Sequence, residues 1–313
     1  MSTIAAISTP LAVGGIGIVR VSGPEALAIA ARVFRPAGER DISSMKGFTS
    51  AYGRVFDQDG QVDEAILSVY RAPKSYTGED VAELSCHGGV YVLQRVLRAV
   101  LDQGAVLAGP GEFTKRAFLA GKLDLTGVEA VADLIESQSA AAAKNAASLL
   151  QGGISRPIRQ MREKIFQQLT HFYAVCDYPD EDLDPFVNEE ARKVLEECTA
   201  ELDKLYQGFQ RGRVLKEGLP VTILGRPNVG KSSLLNSLAG YERAIVTDVA
   251  GTTRDTVEEK VLCGGVLLRL TDTAGIREAG DAIEALGVAR SEQAAREAEL
   301  ALFVCDGSQP LTD

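Results

Sequence analysis

Apolar positions change their spacing twice along the chain. In the first 120 residues they form short β-rich runs separated by turn residues. Residues 4–7 and 17–21 read as strands, and 24–34 as a helix with Leu27, Ala30, Ala31 and Phe34 at helical spacing. Residues 47–56 and 64–70 predict two strands around a turn at 57–60, and 81–85 a further strand. Residues 90–101 place Val92, Val96 and Val100 beside Leu93, Leu97 and Leu101 on one side of a helix. The pattern predicts an α+β domain over residues 1–120. Over 121–217 the spacing becomes helical throughout. Thr126, with Glu129 three residues on, predicts a capping box and a helix to Leu150, stopped by Gly152-Gly153. A second helix starts near Pro157 with the stripe Ile158, Met161, Ile165, Leu169, Phe172. A third, over 189–207, carries Val194, Leu195, Cys198, Leu202 and Leu205. These predict an α-helical bundle. From residue 218 short buried runs alternate with helix: 220–224, 269–272 and 299–306 read as strands of a parallel α/β sheet over 218–313.

Composition fits this picture. A chain of 313 residues accommodates about two or three domains. Its 45% hydrophobic and 24% charged residues are ordinary for a globular protein. No apolar run is long enough to span a membrane, and the first residues lack the basic-then-apolar pattern of a secretory signal. Five scattered cysteines fit reduced thiols in a cytoplasm, and two histidines make histidine-based chemistry improbable. Net charge is −10. Residues 1–120 carry 12 basic and 12 acidic side chains, 121–217 carry 12 and 17, and 218–313 carry 9 and 14. So acidic a chain has no global footprint for nucleic acid, and an RNA partner must use a local patch or a second protein.

The strongest chemical signal is Gly225-Arg226-Pro227-Asn228-Val229-Gly230-Lys231-Ser232, between the strand at 220–224 and a helix beginning at 233. Strand, glycine-rich turn and helix is the setting of a phosphate loop. Glycines let backbone N–H groups approach phosphate oxygens, and the helix N-terminus adds partial positive charge. Lys231 reaches the β- and γ-phosphates, and the Ser232 hydroxyl can ligate magnesium. Asp272-Thr273-Ala274-Gly275 follows a strand about 40 residues on, and the polar Gly251-Thr252-Thr253-Arg254-Asp255 lies between. Ile276 stands where Ras-like enzymes place a water-orienting glutamine, so another polar group must do that work. Arg254 and Arg277 are candidates for an arginine finger but read more readily as solvated switch-region charges. Gly15-Ile16-Gly17 is not a dinucleotide fingerprint, because Arg20 replaces the third glycine. Cys86 and His87 are sequence neighbours in an extended segment and so point to opposite faces. The acidic stretch 178–185 reads as a solvated connection rather than a cation site.

Asn228 in the phosphate loop, the GTTRD segment 251–255 and the DTAG segment 272–275 resemble the tRNA modification GTPase family known as MnmE or TrmE. The resemblance extends to the front of the chain, through 14–23, 76–80, 86–89, 111–118 and 122–125. It implies a multidomain protein: an N-terminal folate-binding and dimerising domain, a helical middle and a Ras-like P-loop G domain. It implies a GTPase in which potassium replaces an arginine finger, held by Asn228, Thr247, the Val249 carbonyl and Thr252. Magnesium would be held by Ser232 and Thr253. Glu284 would orient water, with Lys231 as its catalytic companion. GTP or GDP would lie against Asn228, Val229, Gly230, Lys231, Ser232, Ser233, Thr247, Asp248, Val249, Ala250, Gly251, Thr252, Thr253, Asp272, Thr273, Ala274 and Gly275. A one-carbon tetrahydrofolate such as 5-formyltetrahydrofolate would meet Arg20, Glu83 and Lys122. From the residues alone, Arg20 and Lys122 read as surface side chains and Glu83 as a strand residue. The family acts with a flavoprotein, MnmG or GidA, as a cytoplasmic homodimer on the wobble uridine of tRNA. A ribosome-assembly or signalling GTPase without modification chemistry is the alternative class. No NKxD occurs between Gly275 and Asp313. The expectation is therefore a chain cut short within its G domain, weakly active or inactive.

Overall fold

The computed structural model describes residues 2–225, 229–241, 258–271, 296 and 298–308. It divides into an N-terminal unit, Met1–Val128, and a C-terminal unit, Glu129–Asp313.

The N-terminal unit is built on one seven-stranded sheet. In chain order its strands are β1 (Ile4–Ile7), β2 (Ile16–Ser22), β3 (Phe34–Pro36), β4 (Thr49–Asp57), β5 (Gly60–Tyr70), β6 (Val81–His87) and β7 (Val106–Leu107). Their order in the sheet is β3-β4-β5-β6-β2-β1-β7, antiparallel except for β1 with β7. Helices α1 (Ala26–Val33) and α2 (Val90–Asp102) bury their apolar sides against one face. Period-two alternation sends Val19, Val21, Leu67, Val69 and Leu84 into that core. Between them stand Arg20, Ile66, Ser68 and Glu83, facing the other way. One covered and one open face is the usual condition of an antiparallel sheet. The β4–β5 hairpin is longer than its sequence predicts. Both strands run to a two-residue turn, Gln58-Asp59, where Gly60 has φ +124° and the Asp59 N–H donates to Asp57 Oδ1. A third helix, α3 (Glu112–Leu119), follows Gly111, which has φ +66°.

The continuous helix predicted over 126–150 is two helices, α4 (Leu125–Glu136) and α5 (Ala140–Leu150). Ser139 breaks it, because its side chain caps α5 by accepting from the Ala142 N–H. Thr126 is not the cap of α4 either. Asp124 is: its Oδ1 accepts from the Gly127 N–H at 2.9 Å and from the Thr126 hydroxyl at 2.8 Å. Helix α6 (Ser155–Asp177) and helix α7 (Asn188–Glu217) pack together around Met161 and Cys198. The predicted stripe of α6 is only partly covered. Met161 is buried, while Ile158, Ile165, Leu169 and Phe172 are exposed, because contact with one neighbouring helix hides one row of side chains. Helix α7 is ten residues longer at its C-terminal end than its periodicity predicted.

From Gly218 the chain enters a four-stranded sheet ordered β11-β8-β10-β9, comprising β8 (Leu219–Leu224), β9 (Glu258–Cys263), β10 (Val266–Thr271) and β11 (Leu300–Phe303). β8 is parallel to both β10 and β11. The purely parallel expectation is corrected by β9, which pairs antiparallel with β10 through a Gly264-Gly265 turn, both glycines at positive φ. Helix α8 (Lys231–Tyr241) covers Val221 with Leu235 and Leu238. Among the described residues, no helix is long and apolar enough to cross a membrane.

Candidate functional site

In the C-terminal unit, β8 ends at Leu224 and α8 begins at Lys231, leaving a short loop at the carboxyl edge of the sheet. Gly225 has φ +150°, and a Cβ there would lie 2.4 Å from the Val304 carbonyl oxygen. Only glycine fits that close approach without displacing backbone. Gly230 has φ +99°, and its carbonyl accepts the Leu234 N–H at 2.9 Å, which sets the first turn of α8. Lys231 Nζ donates to the Gly225 carbonyl at 2.6 Å. An ammonium beside a helix N-terminus is a donor set for phosphate oxygens. The residues fit a nucleotide polyphosphate, since the site combines a lysine donor, close-approach glycines and an eleven-residue helix aimed at one spot. Ser232 and Ser233 stand second and third in α8, and Val229 precedes Gly230 in the loop. β10 ends at Thr271 on the same carboxyl edge. Asn228, Thr247, Asp248, Val249, Ala250, Gly251, Thr252, Thr253, Asp272, Thr273, Ala274, Gly275 and Glu284 lie outside the described residues, as do Arg254 and Arg277.

The N-terminal unit carries a second constellation on its open sheet face. Arg20 of β2 and Glu83 of β6 are register partners, and Arg20 Nε donates to Glu83 Oε1 at 2.7 Å. The Arg20 guanidinium lies 5.6 Å from the centroid of the Tyr76 ring and 5.5 Å from that of Phe113. These are cation–π distances. Arg20 is therefore a half-buried, aromatic-flanked cation rather than a plain surface residue. The Tyr76 hydroxyl shares a 2.9 Å hydrogen bond with Thr114. Lys122 Nζ donates to the Pro73 carbonyl at 2.9 Å, and a Cβ on Gly78 would come within 3.5 Å of Lys122 Cδ. So Arg20 and Lys122 both contact the loop that joins β5 to β6. Glu83 Oε2 has no hydrogen-bond partner among the described residues. A guanidinium, a carboxylate and flanking aromatic rings can hold a flat, hydrogen-bonding heterocycle that carries an anionic arm. The set fits a folate.

Sequence reasoning missed what braces this face. Arg116 of α3 is buried, and its Nη1 reaches both Glu79 carboxylate oxygens at 3.0 Å and the Ser2 carbonyl at 2.8 Å. Its Nη2 reaches Glu112 Oε1 at 3.0 Å. Glu79 Oε2 in turn accepts from the Ser22 hydroxyl at 2.7 Å. The available signal was the i,i+4 pair Glu112 and Arg116 directly after Gly109-Pro110-Gly111. The Gly109 N–H, then Arg116, holds the Glu112 carboxyl below its ordinary range. Cys86 and His87 diverge as their positions in a strand require. Cys86 is buried, and burial, followed by Asp63, pushes its thiol up to about 12. His87 is exposed, and its Nδ1 meets Asp63 Oδ1 at 2.7 Å, a contact that raises its pKa.

Comparison with known proteins shows the family. Residues 3–122 match the family described as GTP-binding protein TrmE N-terminus, and residues 125–303 match the MnmE helical domain. A curated protein of Carboxydothermus hydrogenoformans named tRNA modification GTPase MnmE is 48% identical over 308 residues, covering 98% of this chain and 67% of its own length. Proteins of the same name from Thermoanaerobacter pseudethanolicus and Bacillus subtilis are 45% and 47% identical, over 99% and 100% of this chain and 68% and 69% of theirs. The chain thus spans about two thirds of the length of these relatives.

Proposed function

Because the chain belongs to the MnmE family of tRNA modification GTPases, we infer that it binds and hydrolyses GTP in a potassium-dependent manner. That hydrolysis drives modification at C5 of the wobble uridine of tRNA. The observation that carries this is Lys231 Nζ donating to the Gly225 carbonyl across a strand–loop–helix junction. On nucleotide binding, Lys231 exchanges that carbonyl for β- and γ-phosphate oxygens, and the α8 N-terminus faces the same charge. Ser232 and Thr253 would hold magnesium. Asn228, Thr247, Thr252 and the Val249 carbonyl would hold potassium. These cations, when bound, offset the charge that develops between the β- and γ-phosphates. Glu284 orients the attacking water.

In this reading residues 1–120 form a tetrahydrofolate-binding and dimerising domain, 121–217 a helical domain and 218–313 part of a Ras-like G domain. Arg20, Glu83 and Lys122 hold 5-formyltetrahydrofolate or another one-carbon folate. The guanidinium or ammonium takes the glutamate tail, and the carboxylate takes the pterin edge. The protein works in the cytoplasm as a homodimer with the flavoprotein MnmG and tRNA. The test is titration with fluorescent GDP and GTP analogues in potassium and in sodium, with calorimetry of 5-formyltetrahydrofolate alongside. Saturable nucleotide uptake, with potassium-stimulated turnover in the full-length protein, is expected. No uptake removes the GTPase reading, and nucleotide uptake without folate binding favours a switch GTPase without modification chemistry.

A further inference from the structure

The two rings beside Arg20 come from different segments: Tyr76 from the loop between β5 and β6, and Phe113 from α3. A long side chain on an open sheet face samples many rotamers unless something flanks it. Glu83 holds Nε from one side and the rings flank the guanidinium, so the placement of the rings helps decide where it stands. We propose that Arg116 is the positioning residue of the open-face site. Through Glu79, and from there Ser22, it ties α3 to the Tyr76 loop and to β2, and so fixes the aromatic walls that aim Arg20. The proposal rests on the folate reading only for the identity of the ligand.

The geometry supports it in three ways. Among the described residues Arg116 is the one buried side chain that carries a charge, so that charge is retained against a desolvation cost. Two of its partners lie on other pieces of chain, Glu79 in the β5–β6 loop and the Ser2 carbonyl just before β1, while the third, Glu112, is one turn back in α3 beside Phe113. Glu79 passes the restraint to β2 through Ser22, which stands two residues from Arg20 on the same face of the strand. Ser22 also shares a 2.7 Å bond with Thr77, the residue after Tyr76. A planar guanidinium meets these acceptors at once, as a lysine ammonium cannot.

The experiment uses the full-length protein with two readouts. The first needs no ligand: the ring-current shift of the Arg20 side-chain NMR signals, assigned by comparison with Arg20→Lys. The second is 5-formyltetrahydrofolate affinity by calorimetry. Arg116→Lys keeps the charge, and Ser22→Ala removes one small hydroxyl, so the second variant serves if the first fails to fold. Both should lose the shift and weaken folate binding at least about tenfold, the scale of a misplaced supporting residue. The Arg116→Lys, Tyr76→Leu double variant should lose less than the sum of the two single losses, since Arg116 acts in part through the Tyr76 ring. An unchanged Arg20 shift in folded Ser22→Ala and Arg116→Lys overturns the proposal, as do additive losses in the double variant. If the unaltered protein binds no folate, that identity falls, and the ligand-free shift still judges the role of Arg116.

Discussion

Replacing Gly225 by alanine should damage nucleotide binding or loosen the sheet beneath it. The new Cβ would lie 2.4 Å from the Val304 carbonyl oxygen and 3.1 Å from Val229 Cγ2, at a residue with φ +150°. An L-residue in such a backbone state costs about 1–2 kcal/mol. The clash can be relieved by moving β11 off β8. That stretches the 2.8 Å bond from the Val304 N–H to the Leu224 carbonyl, worth about 1 kcal/mol net. The total is about 2–3 kcal/mol, which the chain can shed only by displacing the loop or loosening the sheet. If the loop moves, affinity for a GDP analogue falls about 30- to 150-fold. If the sheet loosens, the melting midpoint of this unit falls by about 4–12 °C. Gly307→Ala is the matched control, since a Cβ there meets nothing within 4 Å. Fluorescence titration and thermal unfolding of both variants decide the matter. Unaltered affinity together with an unaltered midpoint in Gly225→Ala would refute the reasoning.

Lys231→Ala removes the ammonium beside the helix N-terminus and should weaken triphosphate binding about 100-fold with little change in melting; equal affinity would sink the phosphate assignment. Thiol labelling of the native protein should modify Cys176, Cys263 and Cys305, which are exposed, while Cys86 and Cys198 react only after unfolding; fast native labelling of Cys86 contradicts its burial. Among the ring signals of the two histidines, that of His87 should titrate above 6.5, and Asp63→Asn should return it toward that value. The raised pKa means that the stabilisation from this contact is present below 6.5 and is lost as pH rises through the folded-state value. Glu112 behaves in the opposite sense: its lowered pKa contributes stability above its ordinary value, near 4.5, that disappears as pH falls through the folded-state value. Glu112→Gln should therefore flatten the acid limb of the melting profile, and an unchanged limb would count against the Gly109 and Arg116 contacts.

What the sequence disclosed, and what it hid, follows from how local each cause is. The strand at 219–224 and the helix from Lys231 were legible because strand, glycines and helix are contiguous and each has its own residue signature. Helix α2 was legible because one apolar side recurs at helical spacing over thirteen residues. The break between α4 and α5 was not, since alanine-rich sequence favours helix on both sides and only the cap at Ser139 decides where one ends. β9 was missed although Gly264-Gly265 marked a hairpin, because Glu258-Glu259-Lys260 does not read as strand. The flanking of Arg20 could not be foreseen at all. Tyr76 and Phe113 are far from it in sequence, and only the β2–β6 register and the Arg116 bonds bring all three together.

The rims of the seven-stranded sheet bear on how the N-terminal unit meets other molecules. On one side the last strand, β3, is three residues long and ends in Pro36, which has no N–H to offer a newcomer. On the other, β7 spans two residues. Neither terminal strand is long enough by itself to template a further strand, which discourages sideways stacking onto it. Association is steered toward the broad exposed surface of the sheet, where side chains rather than peptide groups choose the companion.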